Sequence, residues 1–99
     1  MFKHNTYFDG RVQSIGFARN GLKATIGVIG AGEFHFNTNA PERMTVVSGE
    51  LRARVGARVG DGDWRHYAAG TYFEVGPDSG FDVQSVGGAA AYLCEFLPA

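Results

Sequence analysis

Glu42 opens the run Met44-Thr45-Val46-Val47, and Ser48-Gly49-Glu50 then turns the chain. The run reads as a buried strand. A carboxylate at the head of such a strand is costly to bury unpaired, so it either caps a turn or has chemistry to do. Lys23 raises a similar question from inside Leu22–Ile29, a segment dominated by apolar and β-branched residues. Its bland explanation is an outward or snorkelling ammonium. His35 alternates with Phe34 and Phe36 and could ligate, line a pocket or face solvent. Cys94 is the only cysteine, which excludes an intrachain disulfide and a cysteine-rich zinc motif. Between Leu93 and Glu95 it reads as a small packed hydrophobe.

The elements that must position these groups are strands. The 99 residues suffice for one core, and a hydrophobic content of 44% is that of a folded chain. Strand patterns cover Arg11 to Phe17, Leu22 to Ile29, Glu33 to Asn37, Glu42 to Ser48, Glu50 to Val55, Trp64 to Tyr67, Thr71 to Val75, Phe81 to Val86 and Ala89 to Leu97. Turn signals such as Asp9-Gly10, Asn20-Gly21 and Gly76-Pro77-Asp78 separate them. Short strands with a turn signal every 8–12 residues or so, and no helical period, predict a sandwich or barrel. Glu50 to Val55 places Leu51, Ala53 and Val55 inward and Arg52 and Arg54 on a solvated or subunit-facing surface. Phe34, Val47, Leu93 and Leu97 read as apolar residues on outer faces that need covering. Residues 1–10 read as a flexible or partner-contacting N-terminal segment, in which Tyr7 and Phe8 fold over the core or meet a second chain.

Bulk properties narrow the function classes. A formal net charge of -1 gives no general pull toward nucleic acid or an anionic membrane. No stretch approaches the roughly 20 apolar residues of a membrane helix, and none near the N-terminus suits a signal peptide. The expectation is a cytoplasmic protein with no nucleic-acid polymer and no membrane as partner.

Glu42 and Gly49 keep the Glu-x6-Gly spacing that closes the first cupin motif, and Gly70 through Pro77 followed by Phe81-Asp82-Val83 resembles the second. A closer resemblance runs from Tyr7 to Phe96. Phe8-x-Gly10-x-Val12-x-Ser14-Ile15-Gly16-Phe17, Gly27-Val28, Gly32-Glu33-Phe34, Pro41-Glu42-x-Met44-Thr45-Val46-x-Ser48-Gly49-x-Leu51 and Tyr92-Leu93-Cys94 resemble the bacterial pyrimidine/purine nucleoside phosphorylases. The resemblance implies an all-β, single-domain cupin, a jelly-roll β-barrel spanning residues 1–99. It implies a homodimer that converts purine and pyrimidine nucleosides plus phosphate to free base and ribose 1-phosphate. Phosphate is then a co-substrate, and no cofactor is expected.

Cupins commonly hold a metal with two His and a Glu of the first motif and a His of the second. Here only His35 falls on the first-motif pair, in one register, and Asp82 or Phe81 falls where the second-motif His belongs. A metal set of His35, Glu42 and Asp82 needs two favourable registers, so no metal is expected. Under the phosphorylase resemblance, Glu42 is the catalytic candidate, stabilising developing positive charge and accepting from ribose hydroxyls. Met44 and Ser48 share its face and, with His35, Phe36 and Tyr72, are candidates for substrate binding. Lys23 and Arg43 are candidates for phosphate. The competing readings are a metal-dependent cupin enzyme and a non-catalytic sugar- or nucleoside-binding cupin.

Overall fold

The computed structural model describes residues 2–98. Within these described residues, ten antiparallel strands form two sheets. They are β1 (Lys3–Tyr7), β2 (Val12–Arg19), β3 (Leu22–Ile29), β4 (Glu33–Asn37), β5 (Glu42–Ser48), β6 (Glu50–Val55), β7 (Arg65–Ala68), β8 (Tyr72–Val75), β9 (Gly80–Ser85) and β10 (Ala90–Phe96). The six-stranded sheet runs β1-β2-β3-β10-β5-β8, and the four-stranded sheet runs β4-β9-β6-β7. The chain crosses between sheets after β3, β4, β5, β7, β8 and β9, so the layers enclose one core.

Strand alternation builds that core. Val12, Ile29, Met44, Val46, Phe73, Val75, Tyr92 and Cys94 point in from the larger sheet. Phe34, Leu51, Ala53, Phe81 and Val83 meet them from the smaller one. Phe34 is therefore core and not an outer-face residue. Its strand belongs to the small sheet, whose inward phase is Phe34 and Phe36 opposite Val83 and Phe81.

Two glycines show what the packing demands. Gly49, the motif glycine between β5 and β6, has φ of +79°. A Cβ there would also stand 3.0 Å from the Ala89 carbonyl oxygen. Gly27 faces Tyr92 across β3 and β10, and any Cβ at Gly27 would overlap the phenol ring. The missing side chain is the seat for that ring.

The N-terminal segment holds a strand that its sequence pattern did not predict, and Phe8 folds over the core as expected. Lys3–Tyr7 forms the edge strand β1, paired along its length with β2 from Lys3↔Gly16 to Tyr7↔Val12. Phe8 and Asp9 turn the chain with φ of +53° and +55°. Phe8 then packs on Phe34 at 4.8 Å and on Phe36 at 5.5 Å between ring centroids. Trp64 also lies outside the strand expected to begin with it. Its ring is clamped by the Arg52 and Arg54 guanidinium groups, 4.2 and 4.3 Å from the centroid. These arginines are thus half-buried beneath the 56–64 loop and do not form an open charged face.

Candidate active site

The start of β5 is tied down from two directions. The Thr38 hydroxyl donates to the Gly76 carbonyl at 2.7 Å and accepts from the Ser79 amide at 3.1 Å. The Leu97 amide donates to the Pro41 carbonyl at 2.8 Å. Glu42 follows at once, on the inward phase of β5 with Met44 and Val46, beside Phe96 of β10 and Val75 of β8. It points into a pocket of about 500 Å³ between the sheets.

Lys23 and Glu42 are the only charged side chains lining that pocket among the described residues. Lys23 shares the inward phase of β3 with Thr25, Gly27 and Ile29, the residues that pair with inward positions of β2 and β10. Its ammonium lies 5.1 Å from the centroid of the Phe96 ring. Cys94 lies one inward step along β10 from Phe96, with Thr25 opposite it on β3. Its thiol donates to Glu42 Oε1 at 3.3 Å.

Burial raises the Glu42 pKa above the ordinary carboxylate value, and the Cys94 hydrogen bond and the Lys23 charge only partly oppose it. Burial, with the nearby Glu42 charge, pushes the Cys94 thiol up as well, so it stays protonated and acts as a donor. The result is a carboxylate with one weak donor, one neighbouring cation and open space in front of it.

The structure separates the sequence candidates into two groups. Glu42, Met44, Phe36 and Lys23 all line the pocket. Arg43, Tyr72, His35 and Ser48 do not line it. Arg43 takes the outward phase of β5, bonds Glu74 at 2.7–2.8 Å and lies 4.8 Å over the Tyr72 ring. Tyr72 pairs with outward Thr45 and is 54% exposed. Both candidates are corrected by the same fact: strand phase turns their side chains away from the cavity.

His35 is corrected for a similar reason. It takes the outward phase of β4, where Nδ1 meets Asp82 Oδ1 at 2.7 Å and Nε2 meets Asn37 Oδ1 at 3.1 Å. Ser48 has the Glu42 phase in simple alternation. Val47 is an extra residue on β5 opposite the Ala91–Tyr92 step of β10; this bulge shifts the pairing, and Ser48 ends exposed at the far end of β5.

The same phase separates the metal set. Asp82 lies on the outer side of β9 with His35, while Glu42 lies inside. Among the described residues no three His, Cys, Asp or Glu side chains are grouped to hold a metal ion. The donors present therefore do not fit the usual cupin metal. Asp82 instead accepts from Arg54 Nε at 2.7 Å and from the Gly60 amide at 2.8 Å, besides its His35 contact. Burial alone would raise its pKa, but those three partners outweigh burial and hold it below the ordinary range.

Several pocket residues escaped the sequence reading: Tyr7, Tyr92, Cys94, Phe96 and Asn39. The signal for three of them was present. Tyr92, Cys94 and Phe96 alternate with Ala91, Leu93 and Glu95, but both phases carry apolar residues and do not by themselves tell inside from outside. Tyr7 carried no such signal, because its segment lacks a strand's apolar content.

Fold and site together define a small cupin barrel with an acidic and basic pair at one end of its pocket and, among the described residues, no convergent metal donors. The hydroxypropylphosphonic acid epoxidase of S. wedmorenis shares the fold, with a TM-score of 0.81 at 11% identity over 97% of this chain and 55% of its own. The particular kinship is much closer. Residues 2–96 match the family described as pyrimidine/purine nucleoside phosphorylase. A pyrimidine/purine nucleoside phosphorylase of Sorangium cellulosum is 61% identical over 97 residues, covering 98% of this chain and all of the relative. A Vibrio parahaemolyticus crystal structure, described as a protein of unknown function, superposes with a TM-score of 0.88 at 45% identity, covering 98% and 99% of the two chains. The chain belongs to the pyrimidine/purine nucleoside phosphorylase family.

Proposed function

We propose that the protein is a broad-specificity nucleoside phosphorylase, converting purine and pyrimidine nucleosides plus phosphate to free base and ribose 1-phosphate. The observation that carries the reading is the pocket of a chain that matches the family over residues 2–96, in which the one carboxylate among the described residues, Glu42, stands beside the one ammonium, Lys23.

Cleavage of the C–N glycosidic bond passes through a transition state with oxocarbenium character, as glycoside hydrolysis does. A phosphate oxygen bonds to the anomeric carbon, the C–N bond pair leaves with the base, and the phosphate proton ends on the base nitrogen. Glu42, ionised, stabilises the positive charge that develops on the ribose and accepts from its hydroxyls. Lys23 holds the phosphate as a point charge. Met44 and Phe36 supply soft apolar contact, which suits a pocket that must accept bases of two sizes. Inorganic phosphate is a co-substrate and no other cofactor takes part.

The setting is the cytoplasm; among the described residues no helix is long and apolar enough to cross a membrane. The working unit is a homodimer. Ile15, Ile26 and Leu93 stand side by side on the outer face of the six-stranded sheet, and Val28 and Val47 nearby are more than half exposed. A sedimentation experiment that returned a monomer at micromolar concentration would remove this part of the reading.

The decisive assay incubates purified protein with uridine or adenosine, with and without phosphate. Phosphate-dependent base release, lost in Glu42→Gln, is expected. No release in the wild type, or a Glu42→Gln variant that works equally well, would sink the reading.

A further inference from the structure

We infer that the nucleobase is held by Tyr7 of the edge strand β1 together with Phe36, so that the N-terminal strand completes the site. The inference rests on the phosphorylase reading and assigns the end of the pocket that the reading leaves open.

The pocket is polarised along the barrel. Lys23 and Glu42 mark one end, in the row of the large sheet that also holds Phe96. Tyr7 pairs with Val12, which pairs with Ile29, and so belongs to the row at the other end. Lys23 and Ile29 are six residues apart on β3, about 20 Å of strand, and the long side chains of Lys23 and Tyr7 reach in from the two ends. Both ends belong to one cavity. The Tyr92 phenol, midway along, is pushed up first by burial and also feels both the Tyr7 and the Glu42 side chains. No charged side chain lines the Tyr7 end among the described residues. If the charged end takes phosphate and ribose, the aromatic end receives the base.

That end is a braced aromatic wall. Phe36 stacks on Phe81, with centroids 5.6 Å apart and planes 27° apart. Phe8 meets Phe36 at 88°, and Tyr7 meets it at 85° and 5.7 Å. The strained turn at Phe8 and Asp9 thus fixes the ring pair from behind. Tyr7 retains 40% of its surface exposed, so ring area remains for a ligand. Stacking on such a surface is sequence-tolerant, because every base has a π-face. This accounts physically for a pocket that accepts purines and pyrimidines alike.

The test compares steady-state kinetics and calorimetric nucleoside binding for wild type, Tyr7→Ala and Tyr7→Phe. Loss of stacking raises the nucleoside KM and Kd by about tenfold, more for adenosine than for uridine. The phosphate KM stays the same, and Tyr7→Phe restores wild-type values. A Tyr7 that only plugs the barrel would leave nucleoside affinity unchanged or weaken phosphate and nucleoside equally, and either result overturns the inference. A Tyr7→Phe variant as weak as Tyr7→Ala overturns it too. If wild type turns over normally and Tyr7→Ala matches it, only this inference fails. If wild type neither releases base nor binds nucleoside, the phosphorylase reading fails with it.

Discussion

Two carboxylates withdrawn from water, Asp82 buried on the outer side of the small sheet and Glu42 half-buried inside the barrel, have opposite fates. Asp82, outside the four-stranded sheet, is held by His35, Arg54 and the Gly60 amide at 2.7–2.8 Å. Its pKa lies below the ordinary range despite burial. Glu42, inside the barrel, has a thiol at 3.3 Å and a lysine nearby. Its pKa lies above the ordinary range because burial dominates. Donor count decides the role. A carboxylate whose lone pairs are filled by fixed donors is a structural clasp, here fastening the 56–64 loop to β9. One with a single weak donor and an open cavity retains acceptor capacity for a substrate.

The sharpest test of the contrast is paired substitution. Glu42→Gln should lower kcat/KM by about 10²–10³-fold, as loss of a transition-state charge stabiliser does. It should also raise stability at neutral pH, because it removes a charge that burial disfavours. Asp82→Ala should do the reverse. It leaves Arg54, His35 and the Gly60 amide without their acceptor and should cost about 3 kcal/mol of stability, read by denaturant unfolding, while activity per folded molecule is kept. Equal stability losses from both substitutions would break the comparison.

The pH dependences should also run in opposite directions. For Asp82, with a lowered folded pKa, stability is present above the unfolded value, about 3.9, and is lost as pH falls through the folded one. For Glu42, with a raised folded pKa, the favourable contribution is present below the unfolded value and is lost as pH rises through the folded one. Thermal melts from pH 3 to pH 7 on wild type, Asp82→Asn and Glu42→Gln separate the two slopes.

The two cations offer a parallel contrast. Lys23→Ala should raise the phosphate KM by roughly tenfold, the scale of a hydrogen bond to a charged group. Arg43→Ala, which removes only an exposed pair with Glu74, should leave it unchanged. The smallest expected effect is at Cys94. Removing its thiol in Cys94→Ala leaves burial less opposed, so the acidic limb of the kcat/KM profile should move to higher pH. Cys94→Ser, which keeps a donor, should restore it. An unmoved limb would mean that the thiol only packs.

Much of the fold was legible because β structure announces itself locally. The patterns over Leu22–Ile29, Glu33–Asn37 and Glu42–Ser48 coincide with β3, β4 and β5. The turn at Asn20-Gly21 is where both residues take positive φ. β1 was missed because an edge strand with exposed faces needs no apolar alternation; its pairing with β2 is what makes it a strand. Of the site, Glu42, Lys23, Met44 and Phe36 were legible from odd charges in apolar runs and from the spacing to Gly49. Arg43, Tyr72, His35 and Ser48 were misplaced because side chains alternate with a period of two, and a single step or one bulge exchanges inside for outside.

By itself the amino-acid sequence determined the strands and turns, the single cysteine, the near-neutral charge and, through the Glu-x6-Gly spacing and its neighbours, the family. Those are properties of local pattern and residue type. Tertiary structure alone decided which of two acidic residues is open to a ligand. It set Cys94 against Glu42 across 52 positions of chain and Asp82 against His35 across 47. Such contacts depend on strand pairing between distant segments, and no local pattern encodes which donor will arrive beside which carboxylate.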